Sequence, residues 1–149
     1  MSSFANRRRP AVLLAGAAFA LSLAACELTP EQKYDFATRD LRSDSLDAGD
    51  RQDAITDLYD AAKAGHVPAA MTLGDLAAEG EIVEKDATVA AAWYRTAYEA
   101  GDPDAATELA ELAIEYPDEV RATPDEMREW IGVAIRNDEI GIWSDRLAG

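Results

Sequence analysis

The stretch that decides the fold is Asp86–Leu109, DATVAAAWYRTAYEAGDPDAATEL. Asp86 is a helix N-cap residue, and the run behind it is rich in alanine, the best helix former. Gly101 is a stop signal. Asp102-Pro103 then restarts a helix. Small residues at fixed positions let two helices approach closely, and the larger Trp93 and Leu109 fill the adjoining space. The quoted residues therefore read as one helix pair.

Working outward, the pair recurs. At an offset of 36, Ala61, Ala64 and Gly65 return as Ala97, Ala100 and Gly101, while Ala69, Ala70, Leu73 and Leu76 return as Ala105, Ala106, Leu109 and Leu112. At an offset of 37, Trp93 and Ala97 return as Trp130 and Ala134. A period in this range marks a helix-pair solenoid, in which each unit buries its apolar face only by stacking on its neighbours. Thr29-Pro30-Glu31-Gln32 and Thr123-Pro124-Asp125-Glu126 each place an N-cap, a proline at N1 and a Gln or Glu at N3. Stop signals stand at Gly65, Gly80 and Gly101. The expected helices are 30–46, 51–64, 67–79, 87–100, 103–115, 124–137 and a short one at 140–147. The expected fold is all-α, a short α-solenoid of stacked antiparallel helix pairs.

The pattern Asp86-x-x-x-Ala90-x-x-Trp93-Tyr94-x-x-Ala97-x-x-x-Gly101-x-x-x-Ala105-x-x-x-Leu109 resembles the Sel1-like repeat, a relative of the tetratricopeptide repeat. Ala64-Gly65-x-x-x-Ala69-x-x-x-Leu73-Gly74 and Gly80-x-x-Val83-x-x-Asp86 fit the same pattern. The match runs over residues 57–112 and then degrades. The glycine expected near Tyr116 is missing, one residue is inserted before Trp130, Ile82 replaces a second glycine, and Tyr98 replaces one alanine of a usual pair. The resemblance implies about two and a half repeats, the last a diverged capping unit. It also implies an adaptor in protein complexes.

The amino terminus is built differently. Arg7, Arg8 and Arg9 are the only charged residues before Cys26, and residues 11–25 carry no charge. A basic cluster, a short apolar run and small residues form a secretory signal peptide, and the run is too short for a comfortable span of about 20 residues. Leu23-Ala24-Ala25-Cys26 resembles the lipobox of bacterial lipoproteins. That resemblance implies cleavage before Cys26, a diacylglyceryl group on its sulfur and acylation of its new amino group. Glu27 stands where an aspartate would retain such a protein at the inner membrane, so the resemblance implies the periplasmic face of the outer membrane. The adjacent arginines match a twin-arginine signal poorly, because Pro10 follows them. The organisation expected is a signal peptide over 1–25, a lipidated cysteine with a helix and linker over 26–50, and the repeat domain with its C-terminal capping helix over 51–149.

Composition narrows the function. The 149 residues hold 14 Lys+Arg, 29 Asp+Glu, one His and one Cys, and the formal charge is −15. Residues 27–149 alone hold 11 basic and 29 acidic groups, a net charge of −18. Nucleic acid and anionic lipid both require a basic surface, so neither is an electrostatic partner. A protein partner with a basic or mixed surface suits this charge. One cysteine and one histidine preclude a Cys/His metal cluster. His66, the equivalent of Asp102 in the next repeat, reads as a turn residue suited to capping. Asp44, Asp47 and Asp50 read as a solvated helix end and linker, since no calcium-loop motif is present. No catalytic residue, metal or cofactor is expected. Tyr34 and Phe36 have two expected settings, the first helix pair or the membrane surface. Trp93, Tyr94, Tyr98 and Trp130 are expected in helix packing. Trp143, beside Ile140 and Ile142, is expected either to cap the last helix face or to anchor a partner. A groove binding a peptide or glycan is the alternative function, and exposed aromatics along it would favour that alternative.

Overall fold

The computed structural model describes residues 28–43 and 47–137. Among them are seven helices and no strand: α1 Pro30–Leu41, α2 Ala48–Lys63, α3 Val67–Glu79, α4 Ala87–Glu99, α5 Asp104–Glu115, α6 Pro117–Val120 and α7 Pro124–Asn137. The helices start where side chains satisfy the free amide groups of a first turn. Thr29 Oγ1 accepts the Gln32 N–H at 3.2 Å while the Thr29 N–H donates to Gln32 Oε1 at 3.0 Å. Thr123 and Glu126 form the same reciprocal pair at the head of α7. Asp86 Oδ1 accepts the N–H groups of Thr88 and Val89. Gly65 and Gly101 take φ of 90° and 98°, and the turns they make are copies of each other. The His66 N–H donates to Ala61 and the Asp102 N–H to Ala97, both at 3.0 Å.

The structure corrects three expectations. α1 ends at Leu41, not 46. α2 begins at Ala48, because Asp47 Oδ1 accepts the N–H groups of Gly49 and Asp50 at 2.7 and 2.9 Å. Asp47 and Asp50 are thus the exposed helix end that was expected, as cap and first turn of α2, and not part of a linker, while Asp44 lies outside the described residues. His66 holds the N-cap position of α3 without a side-chain capping bond. Its ring instead packs on Tyr34 at 4.7 Å between centroids. Asp102, one residue before the N-cap Pro103 of α5, accepts the Asp104 N–H at 3.0 Å. α6 was not anticipated, although Pro117 at its first turn, with Asp118 and Glu119 following, is a start signal. The helix expected at 140–147 lies outside the described residues.

Each of the longer helices packs on its chain neighbour, α5 reaches past α6 to α7, and α6 lies against α4 and α5. Among the described residues, sixteen of the 24 buried apolar side chains are alanines, so helix backbones meet across short side chains. The bulkiest fully buried groups are Tyr94, Leu58 and Leu109. Tyr94 needs a specific vacancy, since a Cβ on Gly74 would run into its ring. Its hydroxyl donates to Asp75 Oδ1 at 2.9 Å. No helix among the described residues is long and apolar enough to cross a membrane.

Candidate functional site

A cleft lies between α2 and α4, over α3. Ile55 and Tyr59 stand one turn apart on α2, and Val89 and Trp93 stand one turn apart on α4. Leu73, Leu76 and Ala77 of α3 form the floor, and residues 83–86 close one end. The volume is about 490 Å³. Tyr59 is 42% exposed and Val89 43%, while Trp93 is half-buried. The Tyr59 and Trp93 rings meet edge to face, 5.3 Å apart at 85°, a favoured aromatic geometry. Lys63 Nζ lies 4.6 Å from the centre of the Tyr59 ring, two turns along α2 from Ile55. At the other end Glu84 and Asp86 supply the acidic rim. Lys85 also lines that end, but its ammonium sits 5.0 Å from the Tyr116 ring, and hydrogen bonding to the Tyr116 hydroxyl raises its pKa.

The next pair of helices answers the same position differently. One repeat on, Arg95 takes the place of Tyr59 and Trp130 that of Trp93. The Arg95 guanidinium lies 5.2 Å from the centre of the Trp130 ring, Arg95 Nη2 donates to the Val120 carbonyl at 3.2 Å, and Arg95 approaches Glu126 at 3.8 Å. α6 places Val120, 4% exposed, against this interface, and Trp130 is only 3% exposed. Where α3 joins α4 by the open loop 80–86, α5 joins α7 through α6. The first interface is therefore a cleft and the second is filled.

The carboxylates form two other groupings. Asp40, Asp50, Asp53 and Asp57 line a shallow depression between α1 and α2. Lys33 crosses that boundary to Asp60 at 2.6 Å and Asp57 at 3.4 Å. On the far side, burial pushes the Asp75 carboxyl above its ordinary value, and the Tyr94 hydroxyl pulls it back. Burial, then repulsion from Asp75 and Glu111, raises Glu108 as well. Both carboxyls shift the same way, whereas acid–base work by a pair needs their values pushed apart. No group of three or more His, Cys, Asp or Glu among the described residues is arranged to hold a metal.

The repeat-motif residues fall into three roles. Ala69, Ala90, Ala97, Ala105 and Leu109 are completely buried, with Leu73 and Trp130 close behind. Gly65, Gly80 and Gly101 take positive φ at helix ends, and Asp86 caps α4. Gly74 and Tyr94 interlock. Trp93 packs against the core as expected, and it also presents part of its ring to the cleft. Tyr98 reaches across to α7 and donates to Glu129 at 2.8 Å. Tyr34 packs on the first helix pair, whereas Phe36 is 40% exposed beneath the Arg39 guanidinium. Leu23, Ala24, Ala25, Cys26 and Trp143 lie outside the described residues. The sequence reading missed Ile55, Tyr59 and Val89. The available signal was the offset of 36, which sets Tyr59 opposite Arg95 at a place where the repeats differ.

Stacked helix pairs with copied turns define a helical-repeat solenoid, similar to tetratricopeptide-repeat architecture. Among solved structures the chain is similar to a Sel1 repeat protein from Oxalobacter formigenes, at 30% identity and a TM-score of 0.63, over 80% of this chain and 87% of that one. The chain belongs to the Sel1 repeat family. No protein-family model matches it, and no curated protein does. The fold suggests a scaffold for protein–protein interaction, and it is generally non-catalytic.

Proposed function

We propose that the protein is a lipid-anchored adaptor on the periplasmic face of the outer membrane, holding a protein partner in envelope assembly or exopolysaccharide secretion. The anchor rests on Leu23-Ala24-Ala25-Cys26 and Glu27, read by resemblance to bacterial lipoproteins. Two or more acyl chains hold a protein stably on a bilayer. The adaptor role is carried by one observation, the cleft between α2 and α4 with Tyr59 exposed and Trp93 half-buried along it. The surrounding negative charge favours a partner with a basic or mixed surface.

The test is crosslinking in intact cells, followed by affinity purification of the wild type beside Cys26→Ser. A dominant partner recovered only with the membrane-bound form is the expected result. Equal recovery from both forms would make the lipid incidental, and no enriched protein in either would overturn the adaptor. The half-exposed Tyr59 and Trp93 also suit a second reading, a peptidoglycan-type glycan stacked on aromatic faces. Binding of soluble peptidoglycan fragments by the purified chain would favour it.

A further inference from the structure

We infer that the Tyr59–Trp93 cleft is the docking site, and that its occupant is a protein segment presenting one large apolar side chain beside lysine or arginine. This rests on the adaptor reading and specifies its chemistry. The apolar requirement comes from the lining. Ile55, Tyr59, Val89 and Trp93 form walls over an aliphatic floor, and about 490 Å³ accommodates one bulky side chain with its backbone. The cationic requirement comes from the rim. Glu84 is exposed and makes no ion pair among the described residues, and Asp86, also exposed, accepts both capping bonds on Oδ1 and so keeps its second carboxylate oxygen for a cation. Lys85, the nearest cation in sequence, is held over Tyr116. The opposite end carries Lys63, so the cleft is polarised along the helix axes and a bound segment has a preferred direction.

The comparison between the two repeat interfaces adds selectivity. An arginine at the equivalent position lies on the tryptophan face and fills the space, as Arg95 does on Trp130. Tyrosine at 59 instead leans edge-on against Trp93 and leaves the cleft open. The same fold thus contains the open form and its own closed counterpart. Docking is confined to the first interface, and recognition uses one anchor.

The closed counterpart supplies the test. Purified residues 27–149 are titrated into a fluorescein-labelled peptide, Gly-Lys-Arg-Leu-Phe-Lys-Gly, and anisotropy is followed. The same is done with an analogue carrying glutamate for every Lys and Arg, and with an N-acetylglucosamine tetramer as competitor. The basic peptide is expected to bind saturably and the acidic one not. Tyr59→Ala, which removes a wall, and Tyr59→Arg, which copies Arg95, are each expected to weaken binding at least about tenfold. Glu84→Lys is expected to weaken it about threefold or more at low salt. Ile114→Ser, on the exposed face of α5, leaves it unchanged. Circular dichroism checks that each variant is folded. Unaltered binding by folded Tyr59→Ala would sink the anchor, and equal binding of the acidic analogue would sink the charge preference. Displacement of the peptide by the sugar would reassign the cleft to a glycan. Partner capture in cells separates this inference from the adaptor reading: a Tyr59→Arg protein that still crosslinks the wild-type partner keeps the adaptor and rejects this cleft.

Discussion

Replacing Tyr94 with phenylalanine isolates one hydrogen bond in the tightest part of the core. The ring is 2% exposed and sits in the space left by Gly74, so phenylalanine keeps the packing and loses only the hydroxyl. The lost partner is Asp75, half-buried, with a carboxyl already pushed up by burial and held back by that hydroxyl. A hydrogen bond to a charged group contributes about 1.5–3 kcal/mol, and water reaching the exposed part of Asp75 recovers some of it. The expected loss at pH 7 is therefore about 1–2 kcal/mol, or roughly 5–10 °C in Tm. The sign of its pH dependence follows from Asp75. A carboxyl whose folded pKa is raised gives up stability as pH rises through that value, and Tyr94→Phe raises it further. The variant's deficit should thus grow with pH. Below 3.8, the ordinary value, Asp75 is protonated folded and unfolded, and only the smaller neutral hydrogen bond is lost. Urea unfolding at pH 7 and pH 3.5, followed by circular dichroism, measures both. A deficit equal at the two pH values, or larger in acid, would refute the role given to Asp75. A loss well above 3 kcal/mol would show that the ring had moved.

Other substitutions test neighbouring steps. Gly74→Ala forces a methyl group into the Tyr94 ring and should cost about 1–3 kcal/mol, read as a lower urea midpoint with unchanged slope. Glu108→Gln should stabilise the fold at pH 7, because Glu108 is raised by burial and by Asp75; the gain should fade below pH 4.5, and thermal melts across that range would show it. Asp86→Ala removes the acceptor for two backbone N–H groups at the head of α4 and should cost about 1 kcal/mol, with Asp86→Asn restoring most of it.

Caps and turns were legible in the sequence because their chemistry is local. Thr29, Asp86 and Thr123 satisfy amides two or three residues away, and Gly65 and Gly101 repeat one turn at one offset. The start of α2 was misread because Asp47, Gly49 and Asp50 compose a loop by content, while the cap that makes them helical depends on one carboxylate's direction. The cleft was less legible. Whether Trp93 is buried depends on the residue above it in the preceding repeat and on the connection beside it. Tyr59 with an open loop leaves it half-exposed, and Arg95 with α6 covers its counterpart. The motif fixes the tryptophan but neither neighbour.

The alanine core has a mechanical consequence. Alanine has no rotamers to freeze, so its burial carries no side-chain entropy penalty. It also has no shape with which to interlock. Two helices that meet over Ala69, Ala70, Ala90 and Ala97 touch along smooth surfaces that resist separation far better than sliding. Resistance to sliding is concentrated in a few pegs: Tyr94 in the notch at Gly74, Leu58 and Leu109 in the stack, and Trp130 beneath Arg95. The register between neighbouring helices is therefore set by these pegs and not by the alanine contacts between them.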